Sequence, residues 1–319
     1  MTPEAVHRPE MRAGGTDLSE RRRSGVSRGA IDVLRPTKAM TEIAWGGSGA
    51  ASLGAAVTIE AIAADPTVRR AYPGLAAAAG SLATPQIRAV GTVGGNIAQR
   101  SRCWYFRNPH FSCLKKGGST CPARPGNHRY GVAFDLGPCV APHPSTLGAA
   151  LSAYEARVTT DRRANLPIAF FFGDGSDGSA DNTLADGERI LSIDLPQPIA
   201  GERAVYQRAI SRTFAEWPLV EAVIRIVPAG DGIAFARVGV GGVAPVPLRL
   251  TEVENVLLNR RFDEAVIAAA VKTASRGATP LPMTGYKVVL LEGLIADLLE
   301  RLRSARRYSD SMMIGIPRF

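Results

Sequence analysis

The chain has 319 residues, 45% of them hydrophobic, and a formal net charge of +9 at pH 7. That length and composition predict a globular protein of about two domains and exclude a disordered chain. The longest apolar stretches, 75–79 and 168–172, fall far short of the ~20 residues that a membrane-spanning helix needs. The basic residues are scattered, and their densest runs, 21–23 and 301–307, lack interleaved aromatic residues, which argues against a nucleic-acid partner.

The N-terminal residues contain no secretory signal. Positions 1–12 mix Glu, His, Pro and Arg and have no apolar core. By its own sequence the chain is therefore predicted to be cytoplasmic, and export to the periplasm would require co-export with a partner.

The first predicted elements surround a glycine-rich loop. The sequence AGGTDL at 13–18 is a turn that leads into a helix, and residues 31–33 form a short strand. A β-like stretch at 51–57 ends at Thr58, a typical N-cap for the helix that follows. Two further helices are predicted, beginning near Pro66 and over 75–82.

A second glycine-rich loop, GTVGGN at 91–96, closes this α/β unit. Glycine lets backbone N–H groups approach and surround an anion, and a diphosphate is the natural guest. One Gly-Gly pair is commonly a plain turn, but two pairs that flank one α/β unit favour the anion-binding interpretation. Asp17 and Asn96 can then bind hydroxyls or the loop backbone, although both are also ordinary turn residues.

The four cysteines all lie in residues 101–143, a segment with little periodicity. They are Cys103, Cys113, Cys121 and Cys139. Four thiolates can hold a [4Fe–4S] cluster, a structural Zn²⁺ or two disulfides. The paired C-x₂-C spacing of zinc ribbons is absent, and nothing in the sequence indicates an oxidising compartment. The residues favour an iron–sulfur cluster and leave the other two interpretations open.

The second half has a different pattern. Ser145 caps a predicted helix, residues 156–160 read as a strand, and the polar loop at 173–182 is the best candidate for a boundary region. Strand-like stretches follow at 190–195, 204–209, 220–227 and 233–243, and the last two are joined by a turn at 228–232. Two helices are predicted after them, over 262–275 and around Leu291, Leu294, Ile295, Leu298 and Leu302.

No substrate-transforming site is evident. The sequence contains no G-x-S-x-G, no paired carboxylate motif and no H-E-x-x-H. We therefore predict no catalytic residue of its own.

Several motifs resemble a known family. AGGTDL at 13–18, ATPQIRAVGTVGGNIAQRSRCWYF at 83–106 and the CPA…G…R pattern at 121–129 are similar to the FAD-binding subunits of the xanthine dehydrogenase and carbon monoxide dehydrogenase (molybdenum hydroxylase) family. ILSIDLP at 190–196 and GGVAP at 241–245 extend the likeness. Within that group the resemblance is strongest to the FAD and [4Fe–4S] subunits of bacterial periplasmic aldehyde oxidoreductases.

The resemblance implies an α+β fold. A two-part FAD-binding domain of the vanillyl-alcohol-oxidase or PCMH-like type, with a shortened N-terminal part, would occupy residues 1–197 and carry the cluster segment at about 101–143. A C-terminal antiparallel sheet with helices would occupy 198–305, followed by a tail at 306–319. The family has Asp and Lys where this chain has Thr146 and Arg208.

The resemblance also implies site residues and partners. It assigns FAD to Ala13, Gly14, Gly15, Thr16, Asp17, Leu18, Thr92, Gly94, Gly95, Asn96, Ser145, Thr146, Leu191 and Arg208. It assigns the [4Fe–4S] cluster to the four cysteines. It implies a heterotrimer with a molybdenum-cofactor large subunit and a [2Fe–2S] small subunit, in which this chain passes electrons through FAD to an external acceptor.

Two other functions are each consistent with part of the sequence. A stand-alone flavin oxidase of the vanillyl-alcohol oxidase type would share the flavin-binding architecture but would leave the cysteines unexplained. A zinc-binding interaction protein would explain the cysteines but not the glycine loops.

Overall fold

The structure, a computed structural model, describes residues 9–212 and 215–307, with side chains through 304. Residues 308–319, most of the predicted tail, lie outside the described residues. The described chain forms two larger sheets, each beside its own hydrophobic core, and a small two-stranded sheet. This mixed helix and sheet architecture confirms the predicted α+β class.

The N-terminal part begins with the small sheet. Strands β1 (Glu10–Arg12) and β2 (Ile31–Val33) pair in parallel, and the chain between them forms helix α1 (Thr16–Arg23). A parallel pair needs such a crossover, since a tight turn can join only antiparallel strands. The short strand predicted at 31–33 is confirmed, and the first glycine-rich loop lies between β1 and α1.

A five-stranded antiparallel sheet forms the centre of this part. Its strands are β3 (Ile43–Trp45), β4 (Ala51–Gly54), β5 (Arg157–Thr160), β6 (Leu166–Pro167) and β7 (Ile190–Leu195). They are ordered β3-β4-β7-β5-β6, so β7 pairs with β4 on one side and β5 on the other. The sheet therefore continues past the polar loop at 173–182, and the change of pattern there lies inside this domain.

Short helices cover the sheet and connect its strands. They are α2 (Ile59–Ala64), α3 (Pro66–Ala71), α4 (Pro73–Ser81), α5 (Pro85–Val90), α6 (Val93–Ile97), α7 (Trp104–Arg107), α8 (Thr146–Ala153) and α9 (Ile168–Phe172), with 3-10 turns at Ala39–Thr41 and Leu114–Lys116. The predicted caps are confirmed: the Thr58 hydroxyl accepts a hydrogen bond from the N–H of Ala61, and Pro66 occupies the first turn of α3. A side-chain acceptor at the N-cap satisfies an N–H that the helix itself leaves without a partner.

The C-terminal part is a four-stranded antiparallel sheet with three helices. Its strands are β8 (Arg203–Ala209), β9 (Val220–Ala229), β10 (Gly232–Gly241) and β11 (Leu248–Arg249), in the order β11-β10-β9-β8. The β9–β10 hairpin turns through Gly230 at φ 51°, as the glycine-containing turn predicted. The helices are α10 (Thr251–Leu257), α11 (Glu264–Ala274) and α12 (Gly285–Arg307). In the part of the chain that the structure describes, no helix has both the length and the apolar character to cross a bilayer.

Strand β9 separates two environments because its side chains alternate between the faces of the sheet. Ala222, Ile224 and Ile226 belong to the core that α11 and α12 cover. Val223, on the opposite face, belongs to the core of the N-terminal part. On that same face the Arg225 guanidinium lies 3.8 Å from the ring centroid of Tyr154. The two domains are thus in direct apolar and cation–π contact.

The cysteine segment, residues 101–143, contains only α7 and one 3-10 turn, as its lack of periodicity predicted. Ion pairs attach it to the rest of the chain. Asp181, from the polar loop, accepts from Arg100 at 2.6 Å and from Lys115 at 2.8 Å, and its carboxylate is almost fully buried. Inside the segment, Arg124 pairs with Asp135 at 2.7 Å.

Candidate functional site

The two glycine-rich loops lie against each other. A Cβ atom at Gly14 would stand 1.8 Å from the carbonyl oxygen of Val90 and 3.2 Å from the Cα atom of Gly91. No side chain fits in that space, so only glycine permits this backbone contact. The structure therefore brings the loops at 13–18 and 91–96, which are distant in sequence, to one place.

The second loop rests on the end of β4. A Cβ atom at Gly94 would be 2.9 Å from the carbonyl oxygen of Ala55, and the Gly94 N–H donates to that oxygen at 3.0 Å. The N–H of Ala55 in turn donates to the carbonyl of Leu191 at 2.9 Å. Leu191, a predicted FAD contact, is thus connected to the second loop through the backbone of Ala55.

The loops begin their helices in different ways. Gly15 is the N-cap of α1 with a left-handed φ of 73°, and as a glycine it offers no side-chain acceptor to the first turn of that helix. First-turn N–H groups without a side-chain acceptor, at the positive end of a helix dipole, suit the oxygens of a phosphate. In the second loop, the Thr92 hydroxyl accepts from the N–H of Gly95 at 3.1 Å and fixes the turn.

Ser145 links the second loop to α8. Its hydroxyl donates to the side-chain oxygen of Asn96 at 2.7 Å and accepts from the N–H of Gly148 at 2.8 Å. Ser145 and Asn96 are both buried. The predicted cap is confirmed, and the same hydroxyl holds the Asn96 side chain in a single orientation.

Asp17 joins the first loop to the start of the cysteine segment. Its carboxylate accepts from the backbone N–H of Arg100 at 3.2 Å and forms ion pairs with Arg107 at 2.6 Å, Arg102 at 3.0 Å and Arg21 at 3.1 Å. Burial alone would raise the pKa of Asp17, but Arg102 and Arg107 outweigh it and hold the pKa below its usual value. The structure thus shows Asp17 binding protein groups, including loop backbone.

Thr146 and Arg208 surround a buried carboxyl that the sequence analysis did not identify. Glu221 of β9 is fully buried, and its Oε2 atom accepts from the Tyr206 hydroxyl at 2.8 Å. Arg208 is its direct partner across the β8–β9 pair, and the Thr146 side chain lies beside it. The sequence signal for it was a glutamate inside an otherwise apolar stretch of strand.

The four cysteines, predicted to act together, border one small cavity. Cys103, Cys113, Cys121 and Cys139 all line it, together with Phe106, Lys115 and Pro122 among others. Two of the cysteines are buried, the other two are half-buried, and none is in a disulfide. The fold thus brings together cysteines that are up to 36 positions apart in sequence, the separation of Cys103 and Cys139.

Backbone N–H groups face the sulfurs in this cavity. Those of Tyr105 and Phe106 face Cys103, and those of Ala123, Arg124 and Val140 face Cys121. A hydrogen bond from Cys139 also lowers the pKa of Cys121, and burial raises the pKa of Cys103. N–H groups directed at sulfur stabilise thiolate charge.

Among residues 9–212 and 215–307, no three His, Cys, Asp or Glu side chains come close enough to hold a single metal ion. A mononuclear zinc site would require such convergence, with each sulfur ~2.3 Å from the ion.

A cleft of about 320 Å³ opens beside the cysteine cavity. Cys103 and Tyr105 border both spaces, and Lys287 of α12 lines the cleft from the C-terminal domain. The Arg102 guanidinium stacks on the Trp217 ring, 4.2 Å from its centroid. Of the lining that the structure describes, no residue is one of the predicted FAD contacts.

A glycine-loop domain of this kind followed by an antiparallel sheet with helices defines a flavoprotein subunit. Residues 6–198 match the family described as FAD binding domain in molybdopterin dehydrogenase, and residues 206–302 match the CO dehydrogenase flavoprotein C-terminal domain. The chain therefore belongs to the FAD-binding subunits of the molybdenum hydroxylases, an oxidoreductase family that includes carbon monoxide dehydrogenases and aldehyde oxidoreductases. The predicted family and enzyme class are confirmed.

The sequences of two individual proteins are similar to this chain and support the family assignment. The chain is 30% identical to the aldehyde oxidoreductase FAD-binding subunit PaoB of Escherichia coli (strain K12) over 264 residues, 81% of this chain and 80% of that protein. It is 24% identical to the carbon monoxide dehydrogenase medium chain of Hydrogenophaga pseudoflava over 69% of this chain and 62% of that protein.

Solved structures share the fold. A carbon monoxide dehydrogenase from Hydrogenophaga pseudoflava superposes with a TM-score of 0.72 at 20% identity, covering 93% of this chain and 90% of that chain. Quinoline 2-oxidoreductase from Pseudomonas putida 86 superposes with a TM-score of 0.70 at 19% identity, covering 93% and 89%. These matches confirm the predicted two-part flavoprotein fold, and family membership favours a complex subunit over a stand-alone flavin oxidase or a zinc-binding module.

Proposed function

We propose that this chain is the electron-transfer subunit of a heterotrimeric molybdenum enzyme that oxidises aldehydes. It holds FAD and a [4Fe–4S] cluster, a small partner holds two [2Fe–2S] clusters, and a large partner holds the molybdenum cofactor. Electrons enter from the partners and leave to an external acceptor. The observation that carries the proposal is the convergence of four cysteines on one cavity, in a segment that Asp17 ties to the glycine loops.

The FAD diphosphate is assigned to the paired loops. Gly14 and Gly94 let the two loops pack directly against the backbone at Val90 and Ala55, and Gly15, the N-cap of α1, offers no side-chain acceptor to the first turn of that helix. These features suit an anion that must approach the backbone closely. Side-chain hydrogen bonds of Thr92, Asn96 and Ser145 fix the conformation of the second loop.

The flavin end is assigned to the junction between the two domains. Thr146 begins α8 there, Arg208 reaches it from β8, and Leu191 lies beside the second loop. In that position the guanidinium of Arg208 would supply positive charge near the negative charge of a reduced flavin. Such a group favours the reduced form.

The [4Fe–4S] cluster is assigned to Cys103, Cys113, Cys121 and Cys139. The four cysteines border one cavity, and four thiolates are the ligand set that a [4Fe–4S] cluster requires. The Lys115 ammonium and the Arg124 guanidinium are close enough to interact electrostatically with this sulfur set and offset its negative charge. Phe106 and Pro122 exclude water, which tunes a cluster's potential.

The substrate class rests on a relative. The Escherichia coli protein is named an aldehyde oxidoreductase FAD-binding subunit, and it aligns with four-fifths of this chain. When bound, FAD supplies two-electron chemistry and the cluster supplies one-electron transfer, while this chain positions them and sets their potentials. The aldehyde itself binds to the large partner, and export, if any, follows that partner.

The test is a cofactor analysis of the intact complex. The chain is co-expressed with the genes beside it, purified without oxygen, and assayed for flavin, iron, acid-labile sulfide and zinc. Flavin with about four additional irons per chain, beyond those of the small subunit, supports the proposal. Flavin without that iron supports a flavin oxidase or a clusterless subunit, and zinc alone overturns the assignment.

A further inference from the structure

Glu221 is a buried acid that the proposed function does not yet use. It lies on the face of β9 that meets α8, with no exposed surface. Its Oε2 atom accepts from the Tyr206 hydroxyl at 2.8 Å, and its Oε1 atom has no hydrogen-bond partner among the described residues. A carboxylate in such a place is costly unless something compensates its charge.

The carboxyl fits here because Gly241 leaves room for it. A Cβ atom at Gly241 would stand 2.5 Å from Oε1 and 2.9 Å from the Cγ atom of Glu221. The space therefore exists only because β10 presents a glycine opposite the acid. A fully buried glutamate packed against a glycine is unusual as a purely structural choice, since an apolar side chain would avoid the desolvation cost.

Two of the neighbours of Glu221, Arg208 and Thr146, are residues assigned to the flavin. Arg208 and Tyr206 reach it from β8, and Thr146 reaches it from α8. These are the groups that interact with the acid from the elements around it, and Arg208 and Tyr206 are the titratable or charged ones. Burial raises the pKa of Tyr206 well above its ordinary value, so its hydroxyl remains a neutral donor.

Glu221 titrates near neutral pH. Burial raises its pKa to about 7, and the hydroxyls of Tyr206 and Thr146 and the charge of Arg208 only partly oppose that rise. Its charge is therefore easily changed by a further charge nearby. A negative charge within a few ångströms raises the pKa of an acid, because it disfavours the ionised form.

We propose that Glu221 is a positioning residue that takes up a proton when the flavin is reduced and so couples the reduction potential of bound FAD to pH. This inference rests on the assignment of Thr146 and Arg208 to the flavin. With Glu221 ionised, its charge offsets that of Arg208. With Glu221 protonated, the guanidinium acts on the flavin at full strength.

Two electrons from the partner centres reduce the flavin, and one proton from solvent forms an O–H bond on Glu221, beyond the protons that the flavin itself binds. When the electrons leave to the external acceptor, that O–H bond breaks and the proton returns to solvent. No further oxidant or reductant is required.

The test measures the potential of bound FAD between about pH 5.5 and pH 8.5 in the purified complex, by spectroelectrochemistry. Native protein and Glu221→Gln are expected to agree at the acid end. At the alkaline end the ratio of reduced to oxidised flavin should be about tenfold higher in Glu221→Gln than in native protein. For a two-electron couple this equals a reduction potential about 30 mV higher. Glu254→Gln, which changes another buried acid in the same domain, serves as the matched control and should follow the native curve.

Glu221→Asp should retain the pH dependence, because it retains a titratable acid. Parallel curves for native protein and Glu221→Gln across the whole range would overturn the inference while leaving the proposed function intact. If the Gln variant does not fold, the test is made on native protein. Reduction at pH 7.5 should then produce a band of a protonated carboxyl group in the infrared difference spectrum. The absence of that band refutes the proton uptake. A native complex without flavin refutes the proposed function instead.

Discussion

The glycine loops and the cysteine segment are both predicted cofactor sites, yet different forces hold them. The two glycine loops are held against each other by backbone contact, as between Gly14 and Val90, where no side chain fits. The cysteine segment has little regular structure and is attached through ion pairs, chiefly those of Asp181 and Asp17. Backbone packing is insensitive to salt and pH, whereas ion pairs respond to both.

The two sites therefore acquire their shapes in different ways. The loops are shaped by the backbone that packs against them. The cysteine segment holds its sulfurs around a cavity by a few charged contacts, so a bound cluster would add four further attachments to it. Four variants test this comparison.

Cys121→Ser should give the largest effect. Iron attributable to this chain should fall from about four atoms to nearly none, because serine is a poor ligand for the cluster, while most of the flavin should remain. Iron, sulfide and flavin assays on the complex provide the measurement. Ser119→Ala, in the same segment, is the control, and retention of all the iron in Cys121→Ser would remove this cysteine from the ligand set.

Gly14→Ala should disrupt the first glycine loop and its binding of flavin. The new methyl group would overlap the Val90 carbonyl oxygen, so the loop must move, at a cost of about 3 kcal/mol in the free energy of unfolding. Flavin affinity should fall at least tenfold while iron remains. Gly47→Ala, where a Cβ atom would meet nothing within 4 Å, should change neither. Equal flavin content in the two variants would contradict the assignment of the first loop.

Asp181→Asn should loosen the cysteine segment alone. Loss of the charge opposite Arg100 and Lys115 should lower the free energy of unfolding by about 2 kcal/mol. Amide hydrogen exchange should rise within 101–143 and stay unchanged in the glycine loops. Asp186→Asn, in the exposed part of the following loop, is the comparison variant. Uniform exchange across both regions would show that they are not separately held.

The same contact predicts a pH dependence. Burial alone would raise the pKa of Asp181, but Lys115 and Arg100 lower it to about 2 from its ordinary value of 3.8. Its stabilising contribution is therefore complete above about pH 4 and is lost as the pH falls toward 2. Acid titration of native protein and Asp181→Asn should show their stabilities converging over that interval.

Ser145→Ala should give the smallest effect. It removes the cap of α8 and the hydrogen bond to Asn96, which should cost about 1 kcal/mol and weaken flavin binding severalfold at most. Thermal unfolding and flavin titration measure the two effects. Ser152→Ala, inside the same helix, is the matched control.

Local signals in the sequence were sufficient for much of the fold. Thr58 and Ser145 each cap a helix through a residue three positions ahead, and the β9–β10 turn contains its own glycine. The cysteines could be grouped because they are close in sequence. In each case the relevant contacts lie within a short stretch, so a pattern can reveal them.

Other features depended on contacts between distant positions. Asp17 meets Arg100 across 83 residues, and Asp181 meets Arg100 across 81. Glu221 gains its importance from Thr146, 75 positions earlier, and from a strand register that one sequence does not specify. Helix α10 (Thr251–Leu257) was also missed, since it is short and lacks a side-chain cap.

Gly74, at the start of α4, shows how closely the two halves are matched. A Cβ atom there would stand 2.9 Å from the Cγ1 atom of Val223, and its N–H donates to the Tyr154 hydroxyl at 3.0 Å. Tyr154 in turn carries the Arg225 guanidinium on its ring. Helix and strand are in van der Waals contact at this junction, so any side chain larger than that of Gly74 would force the two halves apart.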